Sequence, residues 1–137
     1  GGSSYAADGS YDLAATAADL QAVIEHVGAP ANVLAHSAGT LVALELLRTE
    51  PHLVDRAILH EPAVSAEGVG MGAAPVLLDM IAAGKVSRAL RLFLGALGDL
   101  DPEAPGTTEA EVKHALRNGR CFMANEYGTN MTYAPDW

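Results

Sequence analysis

The stretch Ala31-Asn-Val-Leu-Ala-His-Ser-Ala-Gly-Thr40, "ANVLAHSAGT", decides how this chain folds. Asn32 to His36 has the length and apolar content of a short buried strand, and Ala38 to Thr49 has the spacing of a helix with Leu41, Ala43, Leu44 and Leu47 turned inward. Between them stands a serine flanked by small residues, in the pattern small-x-Ser-x-Gly carried by Ala35, Ser37 and Gly39. A chain that turns sharply from strand to helix brings the residues two before and two after the turn close to the adjoining backbone, so both are expected to be small. A helix that starts directly behind Ser37 aims its free N–H groups and the positive end of its dipole at whatever the hydroxyl meets. The Ala38 N–H would then be a donor to a developing oxyanion. The alternative is a serine that merely closes a structural turn.

The flanking segments supply the rest of an α/β pattern. Residues 12 to 27, "DLAATAADLQAVIEHV", place Leu13, Ala17, Leu20, Ile24 and Val27 on one helical stripe, with Asp12 as N-cap and Gly28 just past the end. Ala29-Pro30 forces a turn, and Pro51 stops the helix that follows Ser37. A second apolar run, Val54 to His60, ends at Glu61-Pro62. Helix, strand, helix, strand at this spacing predicts a parallel pair joined through a crossover helix.

Beyond Pro62 the pattern becomes helical. Ala63 to Ala73 reads as a small-residue loop, Ala74 to Ala83 and Lys85 to Leu97 as helices parted by Gly84, and residues 98 to 106 as an acidic linker. Thr108-Glu-Ala-Glu111 forms a capping box that opens another helix, with Val112, Ala115 and Leu116 on its apolar side.

Residues 11 to 64 resemble the middle of an α/β-hydrolase: a crossover helix, then "NVLAHSAGTLVALELL", then "PHLVDRAILHEPAV". In that family a serine on such a turn, the nucleophile elbow, is the attacking group. The usual first glycine of the elbow is Ala35 here, the mildest replacement available. The resemblance implies a partial α/β-hydrolase fold, with short parallel strands and crossover helices followed by a helical cap. On this reading residues 1–65 form the central part of the core, including the elbow, and residues 66–137 form a cap or lid. "GGSSYAADGSYDL" is similar to the Arg-Gly-x-Gly-x-Ser-Ser stretch that follows the fourth strand in such enzymes, so Gly1 to Ser4 is expected to belong to the protein, and the chain to be an interior fragment, rather than to carry an added linker.

The resemblance implies a serine-dependent hydrolase acting on an ester or related acyl substrate. Ser37 would be the nucleophile and the Ala38 amide part of the oxyanion hole. The family's catalytic histidine follows the eighth strand, and nothing in these residues matches that position, so the chain by itself is expected to be catalytically incomplete. His36 and His60 are the histidines placed to contact substrate. Glu61, beyond the end of a strand, stands where some relatives carry the triad acid; the reading that fits better is a loop carboxylate that ties the cap to the core through hydrogen bonds. His26 suits a helix C-terminus, while His52 and His114 read as surface positions. Met71, Met80, Met123, Met131, Phe93 and Phe122 read as core residues or as the lining of an apolar acyl pocket. A non-catalytic, degenerate or truncated chain, or a subunit completed by another polypeptide, is the reading from a different class. Retention of the fold with a different reaction is a third.

Composition narrows the partners. Eight Lys and Arg against seventeen Asp and Glu give a formal charge of −9, which argues against nucleic acid. No apolar run approaches the ~20 residues of a membrane span, and no secretion signal opens the chain, so a cytoplasmic protein with no membrane partner is expected. Neither the histidine spacing nor the single Cys121 suggests a metal ligand set, and no glycine loop suggests a phosphate-bearing cofactor, so no cofactor is expected. A two-strand fragment leaves strand edges and apolar faces uncovered, which predicts self-association.

Overall fold

The computed structural model describes residues 10–62, 74–97 and 108–133, with the side chains of Leu97, Glu111 and Val112 left aside. These residues fall into two compact units. The first contains residues 10–62 and 129–133; the second contains residues 74–97 and 108–128.

In the first unit the order is α1 (Leu13–Val27), β1 (Ala31–His36), α2 (Gly39–Thr49), a 3-10 turn (Pro51–Leu53) and β2 (Val54–His60). Helix α1 begins where Asp12 predicts it: the Asp12 carboxylate accepts a hydrogen bond from the Ala14 N–H at 2.9 Å. It ends at Gly28, whose φ of 114° is open to glycine and strained for other residues. Strands β1 and β2 pair in parallel, with Leu34 opposite Ile58 and His36 opposite His60.

Alternation along β1 and β2 sorts the side chains onto two faces. Val33 and Ala35 face the helices. There Ile24 of α1, Leu46 of α2 and Leu53 form the core, with Leu20, Ala31, Val33 and Val54 packed against it. Leu34 and Ile58 point the other way and are 76% and 66% exposed. The predicted inward residues hold for Leu13, Ala17, Ile24, Leu41 and Ala43, all buried. Val27, the last residue of the stripe, is exposed, and α2 buries Leu46 where Leu44 and Leu47 were expected and are only half-covered. The shift is a small rotation of the α2 face towards Thr40, Glu45 and Leu46, which are buried with it.

A polar cluster forms around Glu45 of α2. Glu45, buried although acidic, receives both Nε and Nη2 of Arg48 at 3.1 and 2.6 Å, and the Tyr133 hydroxyl at 2.8 Å. The Arg48 hydrogen bonds, then that of Tyr133, hold the Glu45 carboxyl below its ordinary pKa. Burial and the donated hydrogen bond push the Tyr133 phenol up to about 12. The pairing joins residues 88 positions apart in sequence.

The second unit contains α3 (Ala74–Ala82), α4 (Val86–Leu97) and α5 (Glu109–Asn125). Gly84, at φ 72°, makes the turn between α3 and α4, as its position in the sequence predicts. Helices α4 and α5 meet closely at Gly119: a Cβ there would lie 2.6 Å from a methyl of buried Leu90. Phe93, Phe122 and Tyr127 form an aromatic cluster with centroid separations of 5.6 to 6.1 Å. The Tyr127 hydroxyl is buried and makes no hydrogen bond among the described residues, and burial raises its pKa. A further short helix, α6 (Tyr127–Thr132), was not foreseen from the sequence.

Candidate active site

Ser37 lies between the last residue of β1 and the first turn of α2, and its backbone sits in the left-handed region at φ 50°. That conformation is uncommon for a residue with a side chain and costs on the order of 1 kcal/mol or more, so neighbouring bonds must hold it. They do so from both sides. The Ser37 N–H donates to the His60 carbonyl at 3.0 Å, fastening the turn to the end of β2. The Ser37 carbonyl accepts the Thr40 N–H at 2.9 Å and also the Thr40 hydroxyl, fastening it to α2. Thr40 is fully buried, so this second anchor is rigid.

Ala38 has helical angles, φ −56° and ψ −30°, and caps α2 without a side-chain bond. Among the described residues neither the Ala38 N–H nor the Ser37 hydroxyl has a hydrogen-bond partner. A free N–H at a helix start beside an unengaged hydroxyl can donate to an oxyanion formed at the serine. The steric reason for small flanking residues holds on one side only. Ala35 is buried, whereas a Cβ added at Gly39 would meet nothing within 4 Å among the described residues. Gly39 is exposed here, so crowding does not account for its glycine.

Parallel pairing brings His36 and His60 side by side on the open face, with ring centroids 5.1 Å apart and planes inclined by 25°. Glu61 follows with φ 51°, a second left-handed residue, and its carboxylate lies 3.3 Å from His36 Nε2. The two ends of that pair are 64% and 71% exposed. The structure thus gathers Ser37, Ala38, His36, His60 and Glu61 at one end of the sheet, where ligands of open α/β sheets bind.

The remaining sequence candidates do not join them. The His26 side chain is exposed and makes no hydrogen bond among the described residues; His52 pairs with Glu50 at 3.6 Å; His114 contacts Arg117 and Asn118. Asp79 is exposed. Met123 is fully buried and Phe93 and Phe122 belong to the aromatic cluster, so these three are core residues of the helical unit. Met71 lies outside the described residues. The helical unit also carries a groove of about 610 Å³, bordered by Val86, Lys113, Arg117, Arg120 and Cys121. None of the residues singled out for catalysis lines it. What reading along the sequence missed is the His36–His60 juxtaposition. The only signal for it is that both histidines close apolar runs of similar length.

A comparison with family models matches residues 2–137 to one described as the alpha/beta hydrolase family. The chain belongs to the alpha/beta hydrolase family. The short parallel sheet with a crossover helix, and the strand–serine–helix turn, are the part of that fold visible in the described residues. No curated protein matches the chain. Among the described residues of this hydrolase-family chain, no helix is long and apolar enough to cross a membrane.

Proposed function

We propose that this chain carries the nucleophile of a serine-dependent hydrolase acting on an ester or related acyl substrate. The observation that supports it most is the left-handed Ser37 beside an Ala38 N–H that has no partner among the described residues. A strained residue held at φ 50° by two independent anchors is a geometry with no evident packing benefit, and it presents the hydroxyl at the head of α2. In the reaction the Ser37 Oγ adds to the acyl carbon, the carbonyl oxygen takes up negative charge, and the Ala38 N–H donates to it. Collapse expels the alcohol and leaves an acyl-enzyme, which water then hydrolyses.

The hydroxyl proton needs an acceptor, and no described histidine hydrogen-bonds the Ser37 hydroxyl. His36 turns its Nε2 to Glu61 instead. On this reading Glu61 and His36 line the substrate approach together with His60, the base is supplied from outside the described residues, and the chain by itself turns over slowly.

A fluorophosphonate probe with added imidazole as surrogate base tests the assignment. Imidazole-accelerated labelling that maps to the Ser37 peptide, and is lost in Ser37→Ala, is the expected result. Equal labelling of the two proteins, or no labelling of either, removes Ser37 from the mechanism.

A further inference from the structure

We propose that His36, His60 and Glu61 form a binding site for a divalent transition-metal ion, with zinc as the best fit. The inference is independent of the role assigned to Ser37. One ligand atom from each of the three side chains lies within 4.8 Å of the others. A tetrahedral zinc site with bonds of about 2.0–2.1 Å to nitrogen and oxygen sets neighbouring ligand atoms roughly 3.3–3.4 Å apart. The His36 Nε2 to Glu61 Oε2 separation is 3.3 Å, one edge of such a tetrahedron already formed. The His60 imidazole reaches the third corner by a side-chain rotation, which its exposed position on the open face allows.

The backbone beneath the three side chains is already fixed. His36 and His60 are register partners at the ends of β1 and β2, so their Cα atoms are held by the ladder. The Ser37 N–H to His60 carbonyl bond locks the two ligand strands together one residue further on. Glu61 takes a left-handed conformation, and its carboxylate comes to lie beside the His36 ring. A rigid base with short side chains to reorient lowers the entropy lost on binding.

The donor set selects the metal. Two imidazoles and one carboxylate suit zinc, nickel or copper, whereas magnesium and calcium prefer oxygen ligands throughout. Three protein ligands leave a fourth position open for water. Because all three side chains are exposed, the affinity belongs in the micromolar range of an open surface site, well short of an enclosed structural zinc centre.

Zinc titration of the full chain by isothermal calorimetry, with cobalt(II) absorption as a second readout, tests the site. One saturable ion per chain is expected, with a visible cobalt band of tetrahedral intensity. His60→Gln should weaken binding by about tenfold or more and Glu61→Gln by a smaller factor. His52→Gln removes the other imidazole paired with a carboxylate, and Cys121→Ser removes the free thiol; both should leave the affinity unchanged. The substituted side chains are exposed, and an unchanged circular dichroism spectrum checks that the variants remain folded. Absence of saturable binding to the wild-type chain overturns the proposal. So does equal affinity in His60→Gln, or loss of binding in His52→Gln or Cys121→Ser.

Discussion

The two faces of the β1–β2 sheet are built from alternate residues of the same strands, yet they end in opposite surroundings. On one, Val33 packs against a core of Ile24, Leu46 and Leu53, and Ala35 is buried. On the other, Leu34 and Ile58 are mostly in water, followed along the same face by the His36–His60 pair. Stability and chemistry are thereby divided between faces. The helix-covered side fixes where the strands end, and the open side presents what they end in. Since strands of parallel sheets carry apolar residues on both faces when both are covered, Leu34 and Ile58 have the composition of a covered face.

The sharpest way to break the covered side is Leu46→Ala. Leu46 is 1% exposed at the centre of the core, and its truncation should lower unfolding free energy by about 2–5 kcal/mol in chemical denaturation. A cost as small as that of a surface change would mean that this helix–sheet interface is not the core.

Next in size is the cluster around Glu45 of α2. Tyr133→Phe removes one hydrogen bond to an ionised, buried carboxylate, and a loss of about 1–2 kcal/mol near neutral pH is expected. The pH dependence has two limbs. Glu45 has a depressed pKa when folded, so its contribution is complete above the ordinary carboxylate range and disappears as pH falls through the folded value. Tyr133 has a raised pKa when folded, so its contribution is complete below about 10 and is lost as pH rises through about 12. Thermal melts of Tyr133→Phe should therefore keep most of the acid limb, since Arg48 still pairs with Glu45, and lose the alkaline one. An unchanged alkaline limb would place its origin elsewhere.

The smallest effect is expected on the open face. Leu34→Ser should change stability by no more than about 0.5 kcal/mol, measured in the same denaturant series as Leu46→Ala. A penalty approaching that of Leu46→Ala would show that something covers this face in solution.

Much of this division was legible from residue order. Asp12 and Gly28 bracket α1 because capping is local chemistry, and both bracket it in the structure. Strand β2 runs from Val54 to His60, as its apolar run suggested, and the parallel pairing follows from the crossover length. The Ser37 turn could be located because small residues around a serine between strand and helix are a local pattern. Three things were not legible. Strand register, which sets His36 beside His60, depends on how two segments slide together in three dimensions. The rotation of α2 that buries Glu45 and Leu46 depends on what packs against it. The Glu45–Tyr133 bond spans so much chain that no local pattern could announce it. Gly39 teaches the converse: a residue can match its motif while the described residues supply none of the crowding offered to explain it.

The bond from the Ser37 N–H to the His60 carbonyl has a kinetic consequence. It reaches across the whole of α2 and the following turn, so the serine's unusual backbone angle cannot be secured by residues 31–49 alone. Helix α2 can form on its own timescale, but the turn is complete only once β2 has docked beside β1, a non-local and therefore slow event. During unfolding the order reverses. The last residues of a two-stranded ladder fray first, which should release Ser37 while α1 and α2 are still helical. The Ser37 turn would then be the latest part of this unit to assemble and the earliest to be lost.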